Sequence, residues 1–65
     1  MADEARREIY FEFVAIGNAV KMTAIDSVTA IEVSIMGPAT AAQADLERLA
    51  LRKLRARLAR EGLAP

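Results

Sequence analysis

The chain predicts an α+β domain: a three-stranded antiparallel β-meander followed by one long C-terminal helix packed on one sheet face, a βββα order. Three observations predict it. Residues 8–36 alternate with a period of two, residues 40–60 change to a helical period and carry most of the arginines, and turn residues mark each junction. The layout assigns residues 1–7 to a mobile, charged N-terminal tail and residues 8–65 to a single domain.

The first strand, Glu8 to Ile16, is dense in the β-branched and aromatic residues that suit a pleated surface. Gly17-Asn18 follows as a two-residue hairpin signal, because both residues tolerate the positive φ of primed turns. This turn pairs Ile16 with Ala19, and the register then sets Ala15 against Val20, Phe13 against Met22 and Phe11 against Ala24. The second strand, Ala19 to Asp26, ends where Asp26, Ser27 and Thr29 can bond nearby backbone and favour a turn. Pairing Asp26 with Ile31 brings Ala24 to Val33 and Met22 to Ile35 on the third strand.

That single register collects Ile9, Phe11, Phe13, Ala15, Val20, Met22, Ala24, Ile31, Val33 and Ile35 on one face, which a one-residue slip would expose. Phe13 is read as a core residue whose truncation to alanine costs about 3–5 kcal/mol. Gly37-Pro38 stops the third strand, since proline has no N–H for a ladder. Thr40-Ala-Ala-Gln43 fits a capping box, so the helix is expected to start at Thr40. Gly62 is the expected left-handed residue just past its C-terminus.

Sixty-five residues form one small core, at a size where stability usually needs disulfides, a metal or association. There is no Cys and no His, which removes disulfides and the common transition-metal ligand sets. Association is what remains, and a homodimer is expected. The helix supports it: Leu46, Leu49 and Ala50 form one cluster, while Leu51, Leu54 and Leu58 drift round to widen the apolar stripe beyond a single contact. Tyr10, Val14, Ile16, Ile25 and Met36 also make the opposite sheet face half apolar. The candidate dimer interface is therefore Tyr10, Val14, Ile16, Leu51, Leu54 and Leu58, near a first strand whose edge only Glu8 and Glu12 discourage from pairing.

The charges cancel overall but are sorted. Six carboxylates face three cations through residue 36, and the proportions reverse beyond it. An acidic sheet half and a basic helix half attract one another without any partner. The same asymmetry admits a second function, a small nucleic-acid-binding protein using Arg48, Arg52 and Arg55 on one helix face. Overall neutrality and the lack of interleaved aromatics argue against it.

An enzyme is not expected. Tyr10, Thr23 and Ser34 are outer-face hydroxyls with only Lys21, Glu12 or Glu32 to serve as a base, and Glu12, Thr23 and Ser34 form a cross-strand polar row. Gly17, Gly37 and Gly62 are isolated turn and cap glycines rather than a phosphate loop. Glu12 and Glu32 could hold a hard cation only with ligands from another chain. No cofactor is implied. Met1 to Glu8 has no apolar leader and no run approaches the ~20 residues of a membrane span, so a cytoplasmic protein is expected.

The strings Glu8-Ile-Tyr-Phe-Glu-Phe-Val-Ala-Ile-Gly-Asn-Ala-Val-Lys21, Ile31-Glu-Val-Ser-Ile-Met-Gly-Pro-Ala39 and Leu46-Glu-Arg-Leu-Ala-Leu-Arg-Lys-Leu54 resemble a small family of uncharacterised alphaproteobacterial proteins. The resemblance covers nearly the whole chain past the tail and implies a bacterial domain of unknown function. Some members carry a serine hydroxymethyltransferase label. A pyridoxal-phosphate enzyme needs a Schiff-base lysine, a phosphate site and an enclosing pocket, which Lys21 and Lys53 in so short a chain do not supply.

Overall fold

The computed structural model describes residues 6–63. It contains β1 (Ile9–Ile16), β2 (Ala19–Asp26), β3 (Glu32–Pro38) and α1 (Gln43–Arg60), in the βββα order expected. The sheet is an open antiparallel meander, β1-β2-β3. Its register is the one the alternation demands, with Phe13 opposite Met22, Ala24 opposite Val33 and Met22 opposite Ile35.

The β1–β2 hairpin closes with Gly17 at φ +60° while Asn18 keeps negative φ. Only the first central residue is left-handed, the signature of a type II′ turn rather than of one with both residues at positive φ. The β2–β3 connection is built on Asp26. Its backbone N–H donates to Ile31 O at 2.9 Å, its carbonyl accepts from Ala30 N–H at 2.8 Å, and its Oδ2 accepts from the N–H and hydroxyl of Thr29 at 3.0 and 2.7 Å. Ala30 closes the loop at φ +62°, a left-handed position taken here without glycine.

β3 runs on through Gly37 and Pro38, which pair with Val20 and Ala19. Proline is tolerated because β3 is an edge strand and the position of Pro38 turns its nitrogen outward. The helix then begins at Gln43, three residues later than Thr40. Its N-cap is Ala42, which makes no side-chain cap, so the capping box does not form. Thr40 instead belongs to the turn held by the Ala41 N–H bond to Pro38 O at 3.0 Å. The C-terminus behaves as expected: Gly62 at φ +69° donates to Ala59 O and Leu63 N–H donates to Leu58 O at 2.8 Å, a Schellman pair.

The core consists of Val20, Met22, Ala24 and Val33 from the sheet against Leu46, Ala50, Leu54 and Leu58 from the helix. The helical four are spaced by four, a single row down one side. This row lies over β2 and β3, not over the whole sheet. Close approach is possible because Gly37 has no side chain; a Cβ there would come within 2.6 Å of a Leu46 methyl. Lys53 fixes the same side, its ammonium donating to Ser34 O at the outer edge of β3 at 2.8 Å.

Two expectations about the core are corrected by that placement. Phe13, expected to be buried, is 45% exposed, and Ala15 beside it is exposed as well. The helix packs on β2 and β3, so the far end of β1 has the correct face but, among the described residues, no helix over it. Leu54 and Leu58, expected to reach a second copy, are instead 0% and 2% exposed within the chain's own core. The i, i+4 row accounts for them, and the surplus apolar surface of the helix reduces to half-buried Leu51 and exposed Leu49.

Candidate functional site

The surface of interest is β1. Among the described residues, the large exposed apolar side chains are Tyr10, Phe13, Val14, Ile16, Met36, Leu49 and Leu63, and four of the seven belong to this strand. Tyr10, Val14 and Ile16 point to the open face of the sheet, as the alternation requires, while Phe13 points to the helix-bearing side. The sequence-derived interface thus divides: Tyr10, Val14 and Ile16 are available, Leu51 is half-available, and Leu54 and Leu58 are not. Phe13 was missed as a surface residue, because its parity gives the face it occupies but not whether the helix covers that end.

The backbone of β1 is as informative as its side chains. Ser27 N–H donates to Glu8 O at 3.0 Å, and the two-residue turn joins Ile16 to Ala19. In an antiparallel ladder the bonded pairs then fall on the even-numbered residues of β1, and Ile9, Phe11, Phe13 and Ala15 direct N–H and C=O outward at the free edge. The opposite edge of the sheet is differently furnished. Along β3 the outward positions are Glu32, Ser34, Met36 and Pro38, where Lys53 occupies the Ser34 carbonyl and Pro38 has no donor. Lysine and proline are common protections of an edge strand, and β1 carries neither.

On the open sheet face, Glu12, Thr23 and Ser34 are cross-strand neighbours, as the register predicts. The Thr23 and Ser34 hydroxyls share a hydrogen bond at 2.7 Å, which leaves Thr23 buried and satisfied. Glu8 accepts a hydrogen bond from the Tyr10 phenol and repels its ionised form, so the Tyr10 pKa is raised above the ordinary value. The phenol therefore stays a neutral donor with an apolar ring.

Arg48, Arg52 and Arg55 share the outer side of α1 and are exposed. Arg48 is 3.3 Å from Asp45 within the same turn, and Arg57 is paired with Glu61. Such exposed pairs contribute little to stability.

A second constellation lies at the other end of the sheet. Asp26 is 0% exposed, with Oδ1 2.9 Å from Arg7 Nε, and Arg7 also donates to Leu63 O at 3.2 Å. One carboxylate thereby joins the segment before β1, the β2–β3 turn and, through Arg7, the end of the helix. Of the expected tail, residues 1–5 lie outside the described residues, and Arg7 is held by this clamp. The contacts described tie segments of the fold to one another, which suits a structural role.

Among the described residues there is no cavity and no group of three or more acidic, His or Cys side chains able to hold a metal. No helix among them is long and apolar enough to cross a membrane. No curated protein and no solved structure matches the chain. The profile of a domain of unknown function, DUF6898, matches residues 6–61, almost the full span of sheet and helix. The chain belongs to that family.

Proposed function

We propose that the protein is a small, non-enzymatic homodimeric interaction module. The observation that carries this reading is the concentration of unburied apolar side chains on one edge strand: Tyr10, Phe13, Val14 and Ile16 are 45–52% exposed while the helix covers β2 and β3. Apolar side chains exposed on both faces of one edge strand, in a domain of this size, favour contact with protein rather than with water. The size of the core points the same way, because association adds buried surface that the fold alone lacks. Sedimentation equilibrium at micromolar concentration tests the reading; a dimer mass is expected, and a monomer mass refutes it.

The second reading is nucleic-acid binding through the outer side of α1, favoured by the exposure of Arg48, Arg52 and Arg55 along one line. Only backbone-phosphate contacts would be available to them. Adding an oligonucleotide at low salt should then shift the signals of those three arginines and release them as salt is raised. No shift at low salt removes this alternative.

A further inference from the structure

We infer that two copies join edge to edge through β1, in antiparallel register about a twofold axis at Phe13, forming a continuous six-stranded sheet with both helices on one face. This rests on the homodimer reading and specifies its surface, its register and its hydrogen bonds.

The edge selects itself. β1 offers the outward N–H and C=O groups of Phe11, Phe13 and Ala15, whereas the β3 edge is occupied at Ser34 O by Lys53 and interrupted by Pro38. Because the outward groups of β1 sit on odd-numbered residues, a twofold pairing must match odd with odd. That condition leaves few registers, and the side chains discriminate among them.

An axis at Glu12 places the two Glu12 carboxylates directly opposite in the closest type of strand pair, a like-charge arrangement that destabilises a sheet. With the axis at Phe11, Glu8 faces the partner copy's Val14 and Ile16 is left beyond the paired segment. The axis at Phe13 sets Phe13 against its own symmetry mate, Phe11 against Ala15, Glu12 against Val14 and Tyr10 against Ile16. Every exposed apolar side chain of the strand then meets the partner copy, and the two Glu12 carboxylates are offset from one another.

The size of such an interface suits a specific but modest association. Tyr10, Phe13, Val14 and Ile16 with their main chain offer roughly 500 Å² per protomer, judged from about 150–250 Å² for a whole buried aromatic. The total of about 1,000 Å² is the lower bound of specific interfaces, and about six main-chain hydrogen bonds accompany it. The displaced helix makes room for the pairing: the end of β1 that it leaves uncovered is the end where the two Phe13 rings would meet.

Two measurements test the inference separately from the dimer itself. Ala15→Pro removes an outward N–H and places a ring in the path of a partner strand, while leaving the bonds of β1 to β2 intact. The variant should remain folded by circular dichroism and sediment as a monomer where the parent chain is a dimer. A folded Ala15→Pro dimer overturns edge pairing while leaving the homodimer reading in place; a monomeric parent overturns both.

Cysteine cross-linking fixes the register and does not depend on Ala15→Pro folding. The chain has no Cys, so each introduced thiol is unique. With the axis at Phe13, Glu12→Cys mixed with Val14→Cys should oxidise to a mixed disulfide, since residues 12 and 14 of the two copies face one another. Either variant alone should cross-link at least tenfold less, its own thiols being offset. Efficient cross-linking of Glu12→Cys with itself, or none in the mixture, overturns the register.

Discussion

Asp26→Ala should destabilise this fold heavily although it removes only one small side chain. The carboxylate is fully buried, receives two hydrogen bonds from Thr29 at 3.0 and 2.7 Å, and lies 2.9 Å from a guanidinium whose side chain is only 11% exposed. Deleting it leaves the Thr29 N–H and hydroxyl without their acceptor and removes the carboxylate that lies against Arg7 Nε. Removing one member of a buried pair typically costs about 3–5 kcal/mol. Arg7 lies before β1 and can swing toward water once released, which favours the lower end, about 3 kcal/mol. A 65-residue chain has a total stability of roughly 3–10 kcal/mol, so this single change approaches the whole of it. Asp26→Asn keeps the shape and one carbonyl acceptor and should lose less, about 1.5–3 kcal/mol, the usual worth of a hydrogen bond to a charged group. Urea denaturation followed by circular dichroism at one fixed protein concentration measures both. Arg7→Ala combined with Asp26→Ala should then show a coupling of at least about 1 kcal/mol, because the two side chains are in direct contact. A loss below about 1 kcal/mol for Asp26→Ala, with no coupling to Arg7, would refute the clamp.

Other perturbations separate the interior of the fold from its edge. Gly37→Ala drives a Cβ into the Leu46 side chain, itself buried, and should cost about 1–3 kcal/mol as a lowered urea midpoint. Ala30→Gly relaxes a left-handed alanine and should stabilise by about 0.5–1 kcal/mol, read as a raised melting temperature. Leu54→Glu buries a carboxylate in the centre of the core and should abolish the far-ultraviolet signal of the fold rather than yield a stable monomer. Met22→Ala, at a fully buried site, should cost about 2–5 kcal/mol, and Phe13→Ala should cost the isolated protomer clearly less because its ring is half in solvent.

The strand register was legible in the sequence because it is a matter of parity. Gly17-Asn18 positions Ile16 against Ala19, and from there each apolar residue of period two has only one partner that keeps it on the same face. The stop at Gly62 was equally legible, since only a residue at ease with positive φ ends a helix this way. These are local signals, decided within a few residues of chain. The loss of the Thr40 capping box was less accessible, as the turn after Pro38 competes for the same residues.

The tertiary structure alone decided where the helix lies across the sheet. The sequence specifies which side chains share a face, but not how far along that face a second layer is placed. Gly37 permits close approach over β3, and the Lys53 bond to Ser34 O secures that side. Both contacts join segments distant in the chain, so no periodicity contains them. Their consequence is the exposure of Phe13 and the open edge of β1, a surface set by where the helix is not. Asp26 illustrates the same limit: its turn chemistry was visible in Asp26-Ser-Val-Thr-Ala30, whereas its pairing with Arg7 joins it to the segment before β1, far away in the sequence. A buried charge requires a specific counter-ion, and only the folded chain brings the two together.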